Sequence, residues 1–448
     1  MSYELLVGLA GLGGLLLLIA LRIPIAYAMI VTGGIGVTIL NGPLIFMSQL
    51  KDLAYIQFSI YDLSVVPMFV LMGNLATKAG LSKELFRAAN AWVGWVRGGV
   101  AMSAIIACAG FGAVCGSSLA TASTMGKVAL PELRRYQYSG SLATGTLAAG
   151  GVLGILIPPS VVLVVYAIIV EANIIAMFMA AMIPGLLAVG LFLVTIAVYV
   201  RFFPESGPSR EPMDRQEFWN ATLGVLPVLA IFVAVIGGIY FGLFNPTPAA
   251  AAGVFLVGVL GICRGLIKIP QLKAALLETA KTSGMIYLIL LGAEMLKIFM
   301  SRGGVPQAAV EIMQSSGLDP ITILLLMLVS LIVLGCLMDS LSMILLAMPF
   351  FWPVIDGLDF GLGPEELKIW FGILALIVVE LGLITPPVGM NVFVIHAMAD
   401  DIPMSETFKG VMPFFGAEFF RVMLLVAFPG IVLWLPRLLS GWINEAEV

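Results

Sequence analysis

The stretch GGVLGILIPPS, residues 150–160, places two adjacent prolines inside an apolar run that is long enough to cross a membrane. Proline lacks a backbone N–H and clashes with the preceding turn, so an α-helix cannot pass undisturbed through two of them. In lipid, such a break is tolerated only where the freed backbone groups are buried in protein or line a cavity. The stretch therefore predicts an interrupted helix whose break forms a site.

A second stretch repeats this pattern about half a chain length later. GLITPPV, residues 382–388, shares with GILIPPS, residues 154–160, a glycine, an aliphatic pair and the two prolines. Matching breaks in matching positions of two halves point to the binding site of a secondary transporter. The alternative is a simple kink absorbed by packing, which suits a lone proline such as Pro184 better than a duplicated pair.

The composition places the chain in a membrane. Of the 448 residues, 61% are apolar and 11% are charged, whereas soluble domains carry about 25% charged residues. The run from Leu5 to Leu21 lacks a basic n-region and a small-residue cleavage site, so we predict that it stays as the first span. The net charge of −4 is spread through loops without a basic patch, which excludes nucleic acid as a partner.

The four cysteines and the single histidine make several kinds of site improbable. The cysteines form no CxxC spacing, so neither a disulfide framework nor a zinc site is expected. An intramembrane enzyme would need an activated nucleophile or a metal, and one histidine, His396, provides for neither. We expect His396 at the cytoplasmic end of a helix without a chemical role.

Apolar spans of about 20 residues follow one another along the chain. The predicted helices lie near residues 4–21, 24–40, 60–77, 141–170 (interrupted), 182–203, 218–240, 247–263, 283–300, 367–396 (interrupted) and 411–435. Two further segments, 99–130 and 320–354, are too long for one crossing and contain the polar clusters CGSSLATAST and MDSLSM. Each of these segments is predicted to form a re-entrant helical hairpin that enters and leaves on the same side.

The order of these elements predicts an all-α polytopic membrane protein with an inverted repeat. Three spans, a hairpin, an interrupted span and a final span occur in residues 1–203 and again in residues 218–448, starting from opposite faces. The hydrophilic stretch 204–217 between them is predicted to be a cytoplasmic linker. With Met1 outside, most of the 22 lysines and arginines fall on the cytoplasmic side, in agreement with the positive-inside rule.

Several long motifs resemble one family, the large membrane subunit of the tripartite ATP-independent periplasmic (TRAP) transporters. They include PMFVLMGNLATKAGL, GSSLATASTMGKVALPELRRYQYSGSLATGTLAAGGVLGILIPPS, GCLMDSLSMILLAMPFFWPV and ELGLITPPVGMNVFVI. The resemblance implies an elevator-type fold of the ion-transporter superfamily, located in the inner membrane of a bacterial or archaeal cell. It implies a symporter without enzymatic activity, whose only accessory ion is the coupling ion, sodium.

The same resemblance implies the substrate class and the partners. An organic acid would be delivered by a periplasmic substrate-binding protein and imported through the membrane part. A small four-helix membrane subunit would be a separate polypeptide, because this chain starts directly with the pattern of the large subunit. A binding-protein-independent sodium/carboxylate symporter of the same fold is the alternative, whereas a channel would require no inverted pair of broken helices.

Two places depart from the family pattern or add charge to it. Where the family commonly has Thr-Glu in a PTEAA run, this chain has Thr247 and Pro248, so no carboxylate role is carried over to that position. Glu294 and Lys297 lie one turn apart in a predicted span. An i, i+3 ion pair is the favoured interpretation, and a substrate-selective pair is the alternative.

The predicted site residues follow from the chemistry of sodium and from the resemblance together. Sodium prefers hard oxygen ligands, which hydroxyl groups and the carbonyl groups of broken helices supply. The predicted first ion site consists of Ser117, Ser118, Thr121, Gly154 and Pro158. The predicted second ion site consists of Asp339, Ser340, Ser342, Thr385, Pro386 and Gly389. Substrate is predicted between the hairpin tips, near Ser117, Ser160 and Asn391.

Some of these polar residues have a structural alternative. Some of the hydroxyl groups are expected only to donate a hydrogen bond to a backbone carbonyl of the preceding helical turn. Asp339 either serves the second ion site or caps a helix that begins at Ser340. Glu380, one turn before the second break, is either an ion-site carboxylate or part of a structural pair.

Two basic amphipathic stretches complete the predictions. If the hairpins and interrupted helices move together, the stretches Lys78–Arg97 and Arg264–Lys281 are expected to act as arms between the mobile and the static parts. Their basic and apolar faces predict that they lie along the cytoplasmic interface.

Overall fold

The computed structural model describes residues 2–315 and 317–446 of the chain, and this part is built from α-helices with short turns. The helices of the first half are α1 (Tyr3–Ala20), α2 (Ile25–Asn41), α3 (Pro43–Phe58), α4 (Val65–Lys78), α5 (Leu81–Val93), α6 (Gly99–Cys115), α7 (Ser118–Arg135), α8 (Gly140–Leu156), α9 (Val161–Val170) and α10 (Ile174–Phe202).

The helices of the second half repeat this order with some variation. They are α11 (Arg215–Phe232), α12 (Gly238–Tyr240), α13 (Pro246–Cys263), α14 (Ile269–Arg302), α15 (Val305–Ser315), α16 (Pro320–Gly335), α17 (Ser340–Asp356), α18 (Pro364–Gly382), α19 (Met390–His396), α20 (Met404–Ala427) and α21 (Pro429–Ala446). By length and composition, six helices of the described part can cross a membrane, or up to eight if two bent pairs each form one span. The predicted all-α polytopic fold is therefore confirmed.

The helices form two packed groups. In the first, which we call the scaffold group, α2 packs on α14, and α4 packs on α13 and α14. In the second, the hairpin group, α6 and α7 pack on α8, α16 and α17 pack near α18, and α20 packs on α8. Helix α5 lies against α6 of the hairpin group and α4 of the scaffold group, and it also packs on α11. The two groups meet where α4 and α14 contact the hairpins.

Both predicted hairpins and both predicted breaks are present. Helices α6 and α7 turn at Gly116, and α16 and α17 turn between residues 336 and 339. Helices α8 and α9 are separated at residues 157–160 and bent by 47°. Helices α18 and α19 are separated at residues 383–389. The proline pairs thus end a helix in each half, as the missing N–H groups require.

Glycines let each hairpin approach its broken helix closely. A Cβ atom built on Gly112 of α6 would lie against the Cα atom of Gly154 in α8. In the second half, a Cβ atom on Gly382 of α18 would lie 2.7 Å from the carbonyl carbon of Gly335 in α16. In each half, the contact joins the last turn of the first helix of the hairpin to the last turn of the helix that ends at the break. This backbone packing fixes where each hairpin tip lies.

Two polar contacts connect the first half of the chain to the second half. Arg134 at the end of α7 forms an ion pair with Asp401, which lies between α19 and α20. At the other end, Lys368 in α18 donates a hydrogen bond from Nζ to the carbonyl oxygen of Glu171, 3.0 Å away, just after α9. Each half therefore closes on an element of the other half.

A buried ion pair accounts for the charges inside α20. Arg421 pairs with Glu418, and both side chains are buried. Nη1 of Arg421 also donates to the carbonyl oxygen of Pro184 at 2.7 Å. Helix α10 continues through Pro184, as expected for a lone proline.

Several helix predictions were incomplete. Helices α3, α5 and α15 were not predicted as helices, and α10 begins at Ile174 rather than near residue 182. Helix α14 has 34 residues, whereas the predicted span covered only residues 283–300. The predicted arm Arg264–Lys281 therefore runs, from Ile269 onward, directly into this membrane-spanning helix. At about 1.5 Å per residue, α14 exceeds the roughly 30 Å of a bilayer core. The predicted span 411–435 is broken at Phe428, because Pro429 starts α21.

Candidate functional site

The two hairpin tips meet at one carboxylate. Ser118, the first residue of α7, donates a hydrogen bond from Oγ to Oε1 of Glu380 at 3.3 Å. Ser340, the first residue of α17, donates its Oγ hydrogen bond to the same oxygen. Glu380 itself lies in α18, directly before the second break. Residues that sequence analysis assigned to two separate ion sites are therefore bridged by one side chain.

The buried carboxylate of Glu380 needs groups nearby that compensate its negative charge. The side chain is fully buried, and its second oxygen, Oε2, has no hydrogen-bond partner among the described residues. A carboxylate at membrane depth costs roughly 2.5 to 3.5 kcal/mol on insertion scales, unless a cation, a proton or donors compensate it. Helices α7 and α17 both begin beside it, so the positive ends of two helix dipoles lie close to this carboxylate.

The residues of the predicted first ion site are brought together. A Cβ atom on Gly154 would lie against Oγ1 of Thr121 and 2.7 Å from the carbonyl oxygen of Ser117. The hydroxyl of Thr121 is buried and has no hydrogen-bond partner in the described structure. Gly116 lies against the carbonyl oxygen of Pro159, next to Pro158. The first break and the first tip thus enclose the hydroxyl of Thr121 together with the carbonyl oxygens of Ser117, which accepts from the N–H of Thr121 at 3.0 Å, and of Pro159.

The polar groups of the predicted second ion site are mostly occupied locally. Oδ2 of Asp339 accepts a hydrogen bond from the N–H of Ser342 at 3.1 Å, and Oδ1 accepts one from the Ser342 hydroxyl at 2.6 Å. The hydroxyl of Thr385 donates to the carbonyl oxygen of Leu381 at 2.6 Å. Asp339 is therefore the N-cap of α17, which is the structural alternative stated above.

The cap at Asp339 has an ordinary counterpart in the same hairpin. Asp319 caps α16 with Oδ2 on the N–H of Thr322 at 3.2 Å and Oδ1 on its hydroxyl at 2.6 Å. These bonds lower the pKa of the exposed Asp319 carboxyl, because they stabilise its charged form. The matching geometry at the tip requires no ion to explain the position of Asp339.

The second break is more open than the first. Pro386 and Pro387 are exposed, whereas Pro158 and Pro159 are buried. The thiol of Cys336 at the second tip lies 3.6 Å from the carbonyl oxygen of Pro386. Gly389 precedes α19 with a φ of +65°, a left-handed conformation that glycine adopts without steric cost.

A cavity of about 340 Å³ lies between the hairpin tips and the scaffold group. Polar side chains from both tips and from two scaffold helices line it, namely Asn74, Ser117, Ser118, Thr282, Asp339 and Ser340. The volume is within the range of about 300 to 1,000 Å³ that small-molecule sites occupy. No lysine or arginine is among the described residues of its lining.

The predicted substrate residues do not all face this cavity. Ser117 lines it and also caps α7, since its Oγ accepts a hydrogen bond from the N–H of Ala120 at 3.4 Å. Ser160 is fully buried and caps α9 in the same way. Asn391 is fully buried and donates from Nδ2 to the carbonyl oxygen of Ala148, and its Oδ1 has no partner among residues 2–315 and 317–446.

Two scaffold residues of the site were missed by sequence analysis. Asn74 in α4 donates from Nδ2 to Oγ1 of Thr279 in α14 at 2.9 Å, and Thr282 lies one turn further along α14. A polar residue inside the apolar motif PMFVLMGNLATKAGL is the signal that could have identified Asn74.

Three remaining predictions have a clear structural outcome. Lys297 Nζ lies 3.7 Å from Glu294 Oε2, which confirms the favoured i, i+3 ion pair. Pro248 is exposed in the first turn of α13 and does not line the cavity. His396 is the last residue of α19, and its Nδ1 lies 3.1 Å from the carbonyl oxygen of Ile402.

Comparison with known proteins gives strong matches over most of the chain. Residues 12–431 match the family model described as tripartite ATP-independent periplasmic transporter, DctM component. The C4-dicarboxylate TRAP transporter large permease protein DctM of Vibrio cholerae is 33% identical over 85% of this chain and 87% of its own length. The sialic acid TRAP transporter large permease protein SiaM of the same organism is 31% identical over 85% of this chain and 88% of its length.

Similarity to a solved structure supports the fold. The YdaH transporter of Alcanivorax borkumensis superimposes with a TM-score of 0.62 over 87% of this chain and 90% of that chain. The sequence identity of this match is 13%, so the likeness concerns the fold alone.

Proposed function

The chain belongs to the DctM component family of the tripartite ATP-independent periplasmic transporters and is a membrane permease subunit rather than an enzyme; we propose that it imports an organic acid by symport with sodium. In this proposal it lies in the inner membrane and works with a small four-helix membrane subunit. A periplasmic substrate-binding protein delivers the acid. The observation that carries the proposal is the meeting of both hairpin tips at Glu380 beside a cavity of small-molecule size.

The proposed first ion site is centred on Thr121. Its buried hydroxyl has no hydrogen-bond partner in the described part of the chain and faces Gly154, near the carbonyl oxygen of Ser117. Hydroxyl and carbonyl oxygens are the hard ligands that sodium prefers. Ser118 and Pro158 complete this site in the proposal.

The proposed second ion site uses fewer side chains than expected. Ser340 and the backbone oxygens around Thr385, Pro386 and Gly389 are its proposed ligands, while Asp339 and Ser342 hold the tip in place as a helix cap. Glu380 contacts Ser118 and Ser340. We therefore assign to Glu380 the role of linking the two ion sites.

The proposed substrate site is the cavity between the tips and the scaffold group. Its lining, as far as the structure describes the chain, offers hydroxyl and amide groups but no basic side chain. An organic acid anion would therefore be attracted by the N-terminal ends of α7 and α17 and by bound sodium. The family relatives support this class, because their names specify C4-dicarboxylate and sialic acid.

We propose that transport proceeds by an elevator-type movement of the hairpin group against the scaffold group. The cavity lies at the boundary between these groups, so a relative displacement would change the side from which it opens. Helix α5, which contacts both groups, is the proposed connecting arm.

Uptake into proteoliposomes tests the proposed function. Proteoliposomes that contain this chain and its small subunit, supplied with a loaded binding protein, should accumulate an organic acid only with an inward sodium gradient. Omission of the binding protein separates this mechanism from a symporter that captures its substrate directly. Uptake that persists in potassium alone, or that requires ATP, would contradict sodium symport.

A further inference from the structure

A second cleft of about 510 Å³ lies away from the hairpin tips, on the side predicted to be cytoplasmic. Helix α5, helix α7 and the linker with the start of α11 form its walls. Its lining includes Lys83, Arg87, Lys127, Arg135, Tyr136 and Arg210. Three segments that are distant in sequence thus create one polar recess.

The fold gathers basic side chains from distant segments into this cleft, so the sequence expectation of no basic patch was wrong here. Five of its lining residues are lysine or arginine, and two are glutamate. Arg135 pairs with Glu132 at 3.7 Å. For Lys83, Arg87, Lys127 and Arg210, no salt bridge to a described acidic residue is found.

The geometry of the arginines resembles a preformed anion site. The guanidinium groups of Arg135 and Arg210 lie 5.6 and 5.3 Å from the centre of the Tyr136 ring. Stacking on an aromatic ring holds such groups while their N–H donors stay free. The buried amide side chain of Asn90 adds a polar surface to the wall.

Aromatic residues place the cleft at the level of lipid headgroups. Trp92, at the end of α5, packs on Phe218 of α11 with ring centroids 5.4 Å apart, and Phe218 directly follows Glu217 of the cleft. Trp92, Trp95 and Trp219 are all exposed. Tryptophan is enriched where membrane and water meet, so this cluster marks the interface beside the cleft.

We propose that this cleft binds the phosphate headgroup of an anionic phospholipid of the cytoplasmic leaflet. Arg87 and Arg210 are the principal ligands, because they are half-buried and belong to two different walls of the cleft, α5 and the linker. Basic pockets between helices on the cytoplasmic side suit phosphate headgroups, and the surface potential of that leaflet adds to the attraction. This site rests on the residues of the cleft itself and does not depend on the transport function proposed above.

Lipid binding to the purified full-length protein tests this site. We would measure the thermal shift in detergent on titration with phosphatidylglycerol, with phosphatidylcholine and with inorganic phosphate. The test variant is Arg87→Gln with Arg210→Gln. The matched control is Arg201→Gln with Lys273→Gln, which removes the same charge from exposed positions outside the cleft.

Phosphatidylglycerol is expected to stabilise the wild type and the control alike, and phosphatidylcholine much less. In the double variant the affinity for phosphatidylglycerol should fall about 30-fold, the effect of removing two charges near a lipid surface. Arg210→Lys should keep part of the binding, which separates a lost ligand from a disturbed fold. Equal affinity in the double variant and the control would overturn the site. A full shift with inorganic phosphate, and none with the lipid, would overturn its assignment to a lipid.

Discussion

Pro158 and Pro159 in the first half are buried, whereas the corresponding Pro386 and Pro387 in the second half are exposed. Beside the buried break, the hydroxyl of Thr121 has no hydrogen-bond partner among the residues that the structure describes. Beside the exposed break, the side chain of Asp339 is bonded to the first turn of α17 and that of Thr385 to the last turn of α18. Two similar backbones therefore place different chemistry at their breaks.

The two halves also differ in the buried charge beside their breaks, which lies in the second half at Glu380. Glu380 lies two residues before Gly382, and the equivalent position before Gly154 is the apolar, buried Val152. The tip serines, in contrast, are equivalent, because Ser118 and Ser340 each begin the second helix of their hairpin. The two hairpins thus carry matching donors, and α18 supplies the carboxylate that both of them contact.

Replacement of Glu380 should have the largest effect on transport. Glu380→Gln keeps an oxygen for both serine donors but removes the charge, so the protein should fold while sodium-driven uptake falls about tenfold or more. Uptake rates and sodium titration in proteoliposomes would measure this. Val152→Ala is the matched control in the other half and should keep normal sodium dependence. Wild-type uptake by a folded Glu380→Gln protein would show that the shared carboxylate has no part in coupling.

The two threonines sharpen the comparison of the breaks. Thr121→Val removes a hydroxyl that has no hydrogen-bond partner among the described residues, so the stability of the protein should stay unchanged. If the hydroxyl is a sodium ligand, the sodium concentration for half-maximal uptake should rise by about fivefold. Thr385→Val removes only a bond to the preceding turn and should change that concentration by less than about twofold. The reverse order of effects would move the side-chain ion ligand to the second break.

The glycine contacts predict a difference in stability. Gly112→Ala would drive a Cβ atom into the backbone of Gly154 and should cost about 1 to 3 kcal/mol. Gly335→Ala meets the carbonyl oxygen of Val379 at 3.0 Å and should cost less. Melting temperatures of the purified variants would check this ranking. A lower melting temperature for Gly335→Ala would mean that the second hairpin is the more tightly packed one.

Asp339→Asn should have the smallest effect. Asparagine caps a helix about as well as aspartate, so stability and sodium dependence should both stay close to wild type. Asp319→Asn, at the matching cap in the same hairpin, is the control for a cap without any ion. A marked rise in the sodium requirement of Asp339→Asn alone would return Asp339 to the second ion site.

Sequence patterns predicted the local features well. Pro-Pro pairs must end helices, and polar clusters inside apolar segments must turn or be buried, so both breaks and both hairpins were found. Helix α14 was predicted too short, because its polar first turns fall outside an apolar window of about 20 residues. Helix α5 was recognised as a basic amphipathic stretch, although not as a helix.

The convergence on Glu380 could not be predicted in the same way. Ser118 and Glu380 are far apart in sequence, and only the packing of two hairpins on two broken helices brings them together. A charged residue inside a span marked Glu380 as notable. Its partners depend on tertiary contacts, which periodicity and composition do not specify.

The measurement that tests the shared carboxylate most directly is a double-mutant cycle of Ser118→Ala and Ser340→Ala, read as sodium titrations of uptake. If both hydroxyls act through Glu380, their effects on the sodium concentration for half-maximal uptake should not multiply. The fold-change of the double variant should then differ from the product of the two single fold-changes, with a coupling free energy of about 0.5 kcal/mol or above. Strictly multiplicative effects would contradict this account and leave two independent ion sites.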